Sequence, residues 1–176
     1  TTARRLVDAG RVVLSRVLDP REAAPLLADP RLAVGEPIER VLEHEPIPFP
    51  SYPHEWPPEM LHEAGRLTLD LAQGLLAEGL GLKDATPYNV LFAGPRATFI
   101  DVLSCERRDP LDATWLPYAQ FIQTFVLPLL VNRHFHITLR QVFEVSRDGL
   151  APEAVYDLCT PLRRLVPPFL TLVSLP

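Results

Sequence analysis

Leu80-Gly-Leu-Lys-Asp-Ala-Thr-Pro-Tyr-Asn-Val-Leu-Phe-Ala-Gly-Pro-Arg-Ala-Thr-Phe-Ile-Asp-Val-Leu-Ser104 is the stretch whose reading decides the fold. Asp84 and Asn89 stand five apart, with Pro87 between them. The apolar run Val90 to Phe92, the turn signal Gly94-Pro95 and the second run Ala97 to Ile100 predict a hairpin. That hairpin delivers another carboxylate, Asp101. Upstream, Met60, Ala64, Leu67, Leu71 and Leu75 recur at three- and four-residue steps, which predicts one amphipathic helix from Pro58 to Ala77. Pro58 suits its first turn and Gly79 its C-terminal end. A helix, a polar loop, a hairpin and an acid therefore follow one another.

Those residue types have a chemistry in common. Phosphoryl transfer asks the protein for positioning and for charge compensation by metal ions. Asp101 and the side-chain oxygen of Asn89 are hard oxygen ligands of the kind Mg2+ prefers. Asp84 is placed to accept or orient the proton of a substrate hydroxyl. Taken alone, Asp84 and Asn89 fit local capping of a turn equally well, because both side chains bond nearby backbone N–H groups. It is the surrounding order of elements that favours the site.

Asp84-Ala-Thr-Pro-Tyr-Asn89 resembles the catalytic loop of the protein-kinase and aminoglycoside-phosphotransferase superfamily, and Asp101 falls where that superfamily keeps its metal-binding Asp. Three blocks carry a closer resemblance: Ser51-Tyr-Pro-His-Glu-Trp56, Lys83 to Asn89, and Phe99-Ile-Asp-Val-Leu-Ser104. Together they are similar to the N-terminal region of bacterial class I SAM-dependent methyltransferase-type proteins, where a kinase-like module precedes the methyltransferase domain. The likeness runs from roughly residue 10 to residue 135. It implies a catalytic Asp84, metal ligands Asn89 and Asp101, nucleotide contacts from Lys83 and Thr86, and Mg2+ with ATP as cofactors. It also implies that SAM chemistry belongs to a domain outside these 176 residues, whose few scattered glycines offer no SAM-binding turn.

The chain departs from the superfamily pattern at several points. Leu82 stands where a histidine is usual, Thr86 where many protein kinases place a lysine, and Val102-Leu103 where Phe-Gly is common. Before residue 50 there is neither a glycine-rich phosphate loop nor a lysine, and Arg16 is the only stand-in. Arginine does not simply replace lysine in that role.

The rest of the chain frames these motifs. Arg11 to Leu18 is rich in β-branched residues and predicts a strand, as does Pro37 to Leu42. Asp19-Pro20 opens a helix to about Ala28, with Asp19 as its N-cap. Six prolines between His44 and Pro58 predict an irregular connector. Asp112 to about Asn132 predicts a long buried helix that Pro128 should kink or shorten. Leu139 to Val145, Pro152 to Leu158 and Pro161 to Leu165 predict three more helices. The expected fold is α+β and kinase-like, with a reduced N-terminal lobe at 1–50 and a helical lobe at 51–176.

Composition removes other classes. A net charge of −5 gives no basic groove for nucleic acid. No apolar run has the length of a membrane span, no signal-peptide pattern is read at the start, and two cysteines make no disulfide framework. The expectation is a cytoplasmic protein. His134 and His136 lack further ligands at metal-binding spacing, and the Tyr52, His54 and Trp56 connector reads as a clamp on the core. Cys105 carries no sign of a reactive thiolate. Two functional readings follow: a module that binds a nucleotide or small-molecule substrate, or scaffolds a methyltransferase domain or partner protein, and a working Mg-ATP phosphotransferase.

Overall fold

The computed structural model describes residues 2–32, 37–109, 114–115 and 117–175. The fold is α+β: seven α-helices and three two-stranded antiparallel ladders among the described residues. Its centre is the helix at Pro58–Leu76 (α3), preceded by α1 (Thr2–Asp8) and α2 (Pro20–Leu27). α3 buries Leu61, Ala64, Leu67, Leu71 and Leu75 on one face, as the three-and-four spacing requires. Its neighbours include α1, the strand Arg96–Phe99 and the helix Leu127–Phe135. Gly65 lets the segment just before that last helix close in, since a Cβ there would stand 3.2 Å from Phe125 Cδ1. The helix is capped at Ala77, and Gly79, with φ +74°, turns the chain two residues later.

Strands β1 (Ser15–Val17) and β2 (Leu42–His44) pair with each other. The expected strand over Arg11–Leu18 is thus confined to three residues. Its first part leaves the ladder and bonds across to another strand instead: Phe99 N–H donates to Arg11 O at 2.9 Å and Val13 N–H to Phe99 O at 2.8 Å. The second expected strand, Pro37 to Leu42, lies five residues later than predicted at its start. The α2 cap is as predicted: Asp19 accepts from the N–H groups of Arg21 and Glu22, and Glu22 returns a bond to Asp19 N–H.

Downstream, β3 (Leu80–Leu82) pairs with β6 (Cys105–Arg107), and β4 (Val90–Ala93) pairs with β5 (Arg96–Phe99). The long helix expected over Asp112–Asn132 is instead α4 (Pro117–Phe121), a π-helical turn at Ile122–Val126, and α5 (Leu127–Phe135). Residues 110–113 and 116 lie outside the described residues. Helices α6 (Leu139–Val145) and α7 (Pro152–Leu158) stand where the sequence predicts them, whereas Pro161 to Leu165 forms only a 3-10 turn at Arg163–Leu165.

The proline-rich connector is docked on the core. Trp56 is buried, packs edge-on to Phe92 at 5.1 Å, and donates its indole N–H to Ser51 Oγ. The turn at Pro53–Glu55 packs against α6, with Pro53 buried.

Candidate functional site

Two connectors run side by side between the two downstream ladders. Residues 83–89 link β3 to β4, and residues 100–104 link β5 to β6. Because Leu82 pairs with Cys105 and Val90 with Phe99, the connectors are pinned together at both ends. Ile100 N–H donates to Asn89 O at 2.9 Å, and Lys83 N–H donates to Ser104 O at 2.8 Å. Ser104 closes the circuit: its buried hydroxyl accepts from Asp84 N–H at 3.1 Å, while its own N–H donates to Asp101 O at 3.1 Å. The backbone thus brings Asp84, Asn89 and Asp101 onto one continuous hydrogen-bonded ring of main chain.

Further restraint comes from α4 and the π-helical turn after it. Gln120 Oε1 accepts from Ala85 N–H at 2.6 Å, and its Nε2 lies 3.5 Å from Asp84 Oδ1. Thr124 turns its hydroxyl back onto Gln120 O at 2.7 Å. Ser104 and Gln120 are the positioning residues that spacing alone does not reveal. Ser104 ends the decisive stretch without any motif of its own, and Gln120 lies 35 residues beyond the backbone group it holds.

Asn89 Nδ2 is the one buried side-chain polar atom without a hydrogen-bond partner among the described residues. Its Oδ1 has a single distant contact, from Thr86 Oγ1 at 3.5 Å. A half-turn of the amide would give Nδ2 to the Thr86 hydroxyl and leave Oδ1 in the orphaned position. A buried polar group left unmatched within the protein is unfavourable unless something outside matches it. The carboxylates of Asp84 and Asp101 and the Asn89 amide oxygen are hard oxygens, the ligand type that Mg2+ takes.

The cationic side is thinner. Arg16 donates to Glu43 Oε2 at 2.7 Å and grips both oxygens of Glu22 at 2.8 and 2.9 Å. These bonds push the guanidinium pKa further up and hold Glu22 below the usual carboxylate range. A strand arginine is thus paired with a glutamate of the next helix. Here a second carboxylate, Glu43, shares the charge. Lys83 lines a separate cleft of about 380 Å³ with Glu106, Arg107 and Arg108.

Burial, and then the Asp101 carboxylate, raise the Cys105 thiol above its ordinary value, and Lys83 offsets this only in part. His136 adopts a left-handed conformation at the end of α5, while the His134 ring packs edge-on to Phe169 at 5.2 Å. Among the described residues no three His, Cys, Asp or Glu side chains gather as a metal site, and no helix is long and apolar enough to cross a membrane.

No protein-family model matches the chain, and no solved structure matches it. It is 39% identical over 148 residues, 84% of its length, to Nodulation protein NoeA of Rhizobium meliloti (strain 1021). The match covers 29% of NoeA, so the chain spans less than a third of that relative's length. These comparisons supply no kinase or methyltransferase family.

Proposed function

We propose that the chain is a kinase-like module that keeps a magnesium–nucleotide site at Asp84, Asn89 and Asp101, and serves a longer protein by binding or scaffolding. Lys83 and Thr86 flank the site as nucleotide contacts. The observation that carries this reading is the main-chain ring joining Asp84, Asn89, Asp101 and Ser104. It gives three metal-competent side chains a common rigid base, and it leaves the Asn89 amide in want of an external partner. The match to less than a third of NoeA supports the idea of a module within a longer chain. A methyltransferase domain as the neighbour rests on the resemblance of the three sequence blocks, and SAM would bind there.

When bound, magnesium would neutralise phosphate oxygens. Asn89 and Asp101 would hold the ion, Asp84 would orient a hydroxyl, and Gln120 would fix the carboxylate of Asp84. The second reading, an active small-molecule phosphotransferase with Asp84 as base, is favoured by the presence of all three side chains together.

Paramagnetic Mn2+ in place of magnesium tests the site. Amide resonances of residues 84, 89 and 101 should broaden first in an NMR titration, and Asp101→Ala should abolish the effect. Broadening centred on another acidic cluster, such as Glu63 and Asp70 beside Arg11, would defeat the proposal.

A further inference from the structure

A second cleft, of about 340 Å³, opens on the Asn89 side of the loop. Thr86, Tyr88 and Asn89 form one wall, Gln123 the floor, and Arg147 and Asp148 the far rim. Asn89 belongs both to this cleft and to the candidate metal site, and Gln120, which also lines the cleft, reaches Asp84 Oδ1 at 3.5 Å. Its volume falls at the lower end of ordinary small-molecule pockets.

The walls are fixed. Tyr88 packs edge-on to Phe143 and carries the Arg147 guanidinium over its ring face, 4.5 Å from the centroid. The rim is locked onto the floor, since Leu150 N–H donates to Gln123 O at 2.9 Å and Gly149, at φ +75°, lies against that same carbonyl. A Cβ at Gly149 would collide with the Gln123 carbonyl oxygen.

The free donors are what select a ligand. Among the described residues, the Arg147 guanidinium has no ion pair and the half-buried Gln123 side chain has no hydrogen bond. Gln120 and Thr124, which also border the cleft, are already engaged with the loop and with each other. What remains is a cation held flat on an aromatic ring, a free amide and hydroxyl donors. Asp148 on the same rim places a negative charge beside the cation, which suits a monoanion better than a phosphate dianion. Arginine recognises planar carboxylates through paired N–H groups.

We infer that this cleft binds a hydroxylated carboxylate, its carboxylate at Arg147 and a hydroxyl turned toward Asp84. The anion site stands on the cleft alone, and the placing of the hydroxyl rests on the proposed metal–nucleotide reading.

Gluconate is a suitable probe and sorbitol its uncharged counterpart. In NMR titrations of the chain, gluconate should shift the resonances of Tyr88, Gln123 and Arg147, with sorbitol far weaker. Arg147→Gln, an exposed substitution, should weaken gluconate binding about tenfold, the scale of one hydrogen bond to a charged group. Asp101→Asn should leave gluconate binding intact while removing the Mn2+ effect. Equal binding of sorbitol, no change on Arg147→Gln, or shifts confined to other surfaces would overturn the inference. Gluconate bound at Tyr88 with no Mn2+ effect at Asp101 would sustain the anion site and sink the metal reading alone.

Discussion

Cys105 reports on the candidate site from within it. The residue is partly buried, four positions beyond Asp101, and its thiol is raised by burial first and by the Asp101 carboxylate second. A raised acid favours the protonated form in the folded state. Its stabilising effect is therefore complete below the ordinary thiol range and is lost as pH climbs through the folded value, above about 9. Native Cys105 should alkylate with iodoacetamide at pH 8 more slowly than in the denatured chain. Asp101→Asn should speed native labelling by about twofold or more, because removal of a nearby negative charge favours the thiolate. Peptide mass spectrometry separates it from the buried Cys159. Unchanged labelling in Asp101→Asn would place the carboxylate too far away to matter. That the segment of Asp84 and Asn89 runs beside the segment of Asp101 was legible, because a hairpin signalled by two apolar runs and Gly94-Pro95 joins them. Ser104 and Gln120 were not, since one hydroxyl or amide that satisfies a distant backbone group leaves no periodic trace.

Helix α3 was legible almost to the residue, and α4 to α5 was not. In α3, period, opening proline and closing glycine agree, and no residue within it breaks the ladder. Between α4 and α5 the apolar steps also look helical, but Pro128 cannot donate to a carbonyl one turn back and its ring crowds that turn. The ladder slips just before it, with Leu127 N–H reaching Ile122 O. Such a slip is a π-turn, and Thr124 within it bonds the loop, as does Gln120 from the turn before. Hydrophobic period reports which face is inside and is blind to one extra residue per turn. The strand at Arg11–Leu18 failed for a different reason, because its first residues found a partner in Phe99, far along the chain. For α3 itself, Leu71 is 2% exposed and Leu69 is 43% exposed. Leu71→Ala should cost about 2–5 kcal/mol in denaturant unfolding, whereas Leu69→Ala should stay near 0.5 kcal/mol or less. Equal effects would mean that the helix is rotated from the orientation described.

At the scale of the whole molecule, the balance of charge decides between binding and rapid turnover. A nucleoside triphosphate brings about four negative charges, and each magnesium ion offsets about two of them. Asp84 and Asp101 add their own. A working kinase answers with a strand lysine and the amides of a glycine-rich loop. This chain has no glycine-rich loop before residue 50, and its one strand arginine there is already shared between Glu22 and Glu43. Arg96 folds against Gly10, where its Nη1 would meet a Cβ at 2.7 Å, and Lys83 lines the cleft of Glu106 and Arg108. On the proposed reading, Lys83, Arg96 and the cleft's Arg147 are the cations near the loop, and no glycine-rich loop adds its amides to stabilise the transferring phosphoryl group. The purified chain should show ATP hydrolysis and autophosphorylation well below the rate of about 1 per second at the low end for kinases. Glu43→Gln, which removes one of the two negative charges paired with Arg16, should raise whatever turnover exists. Brisk wild-type turnover abolished by Asp101→Ala would make the phosphotransferase reading correct. No gain in Glu43→Gln would show that Arg16 does not reach the phosphates.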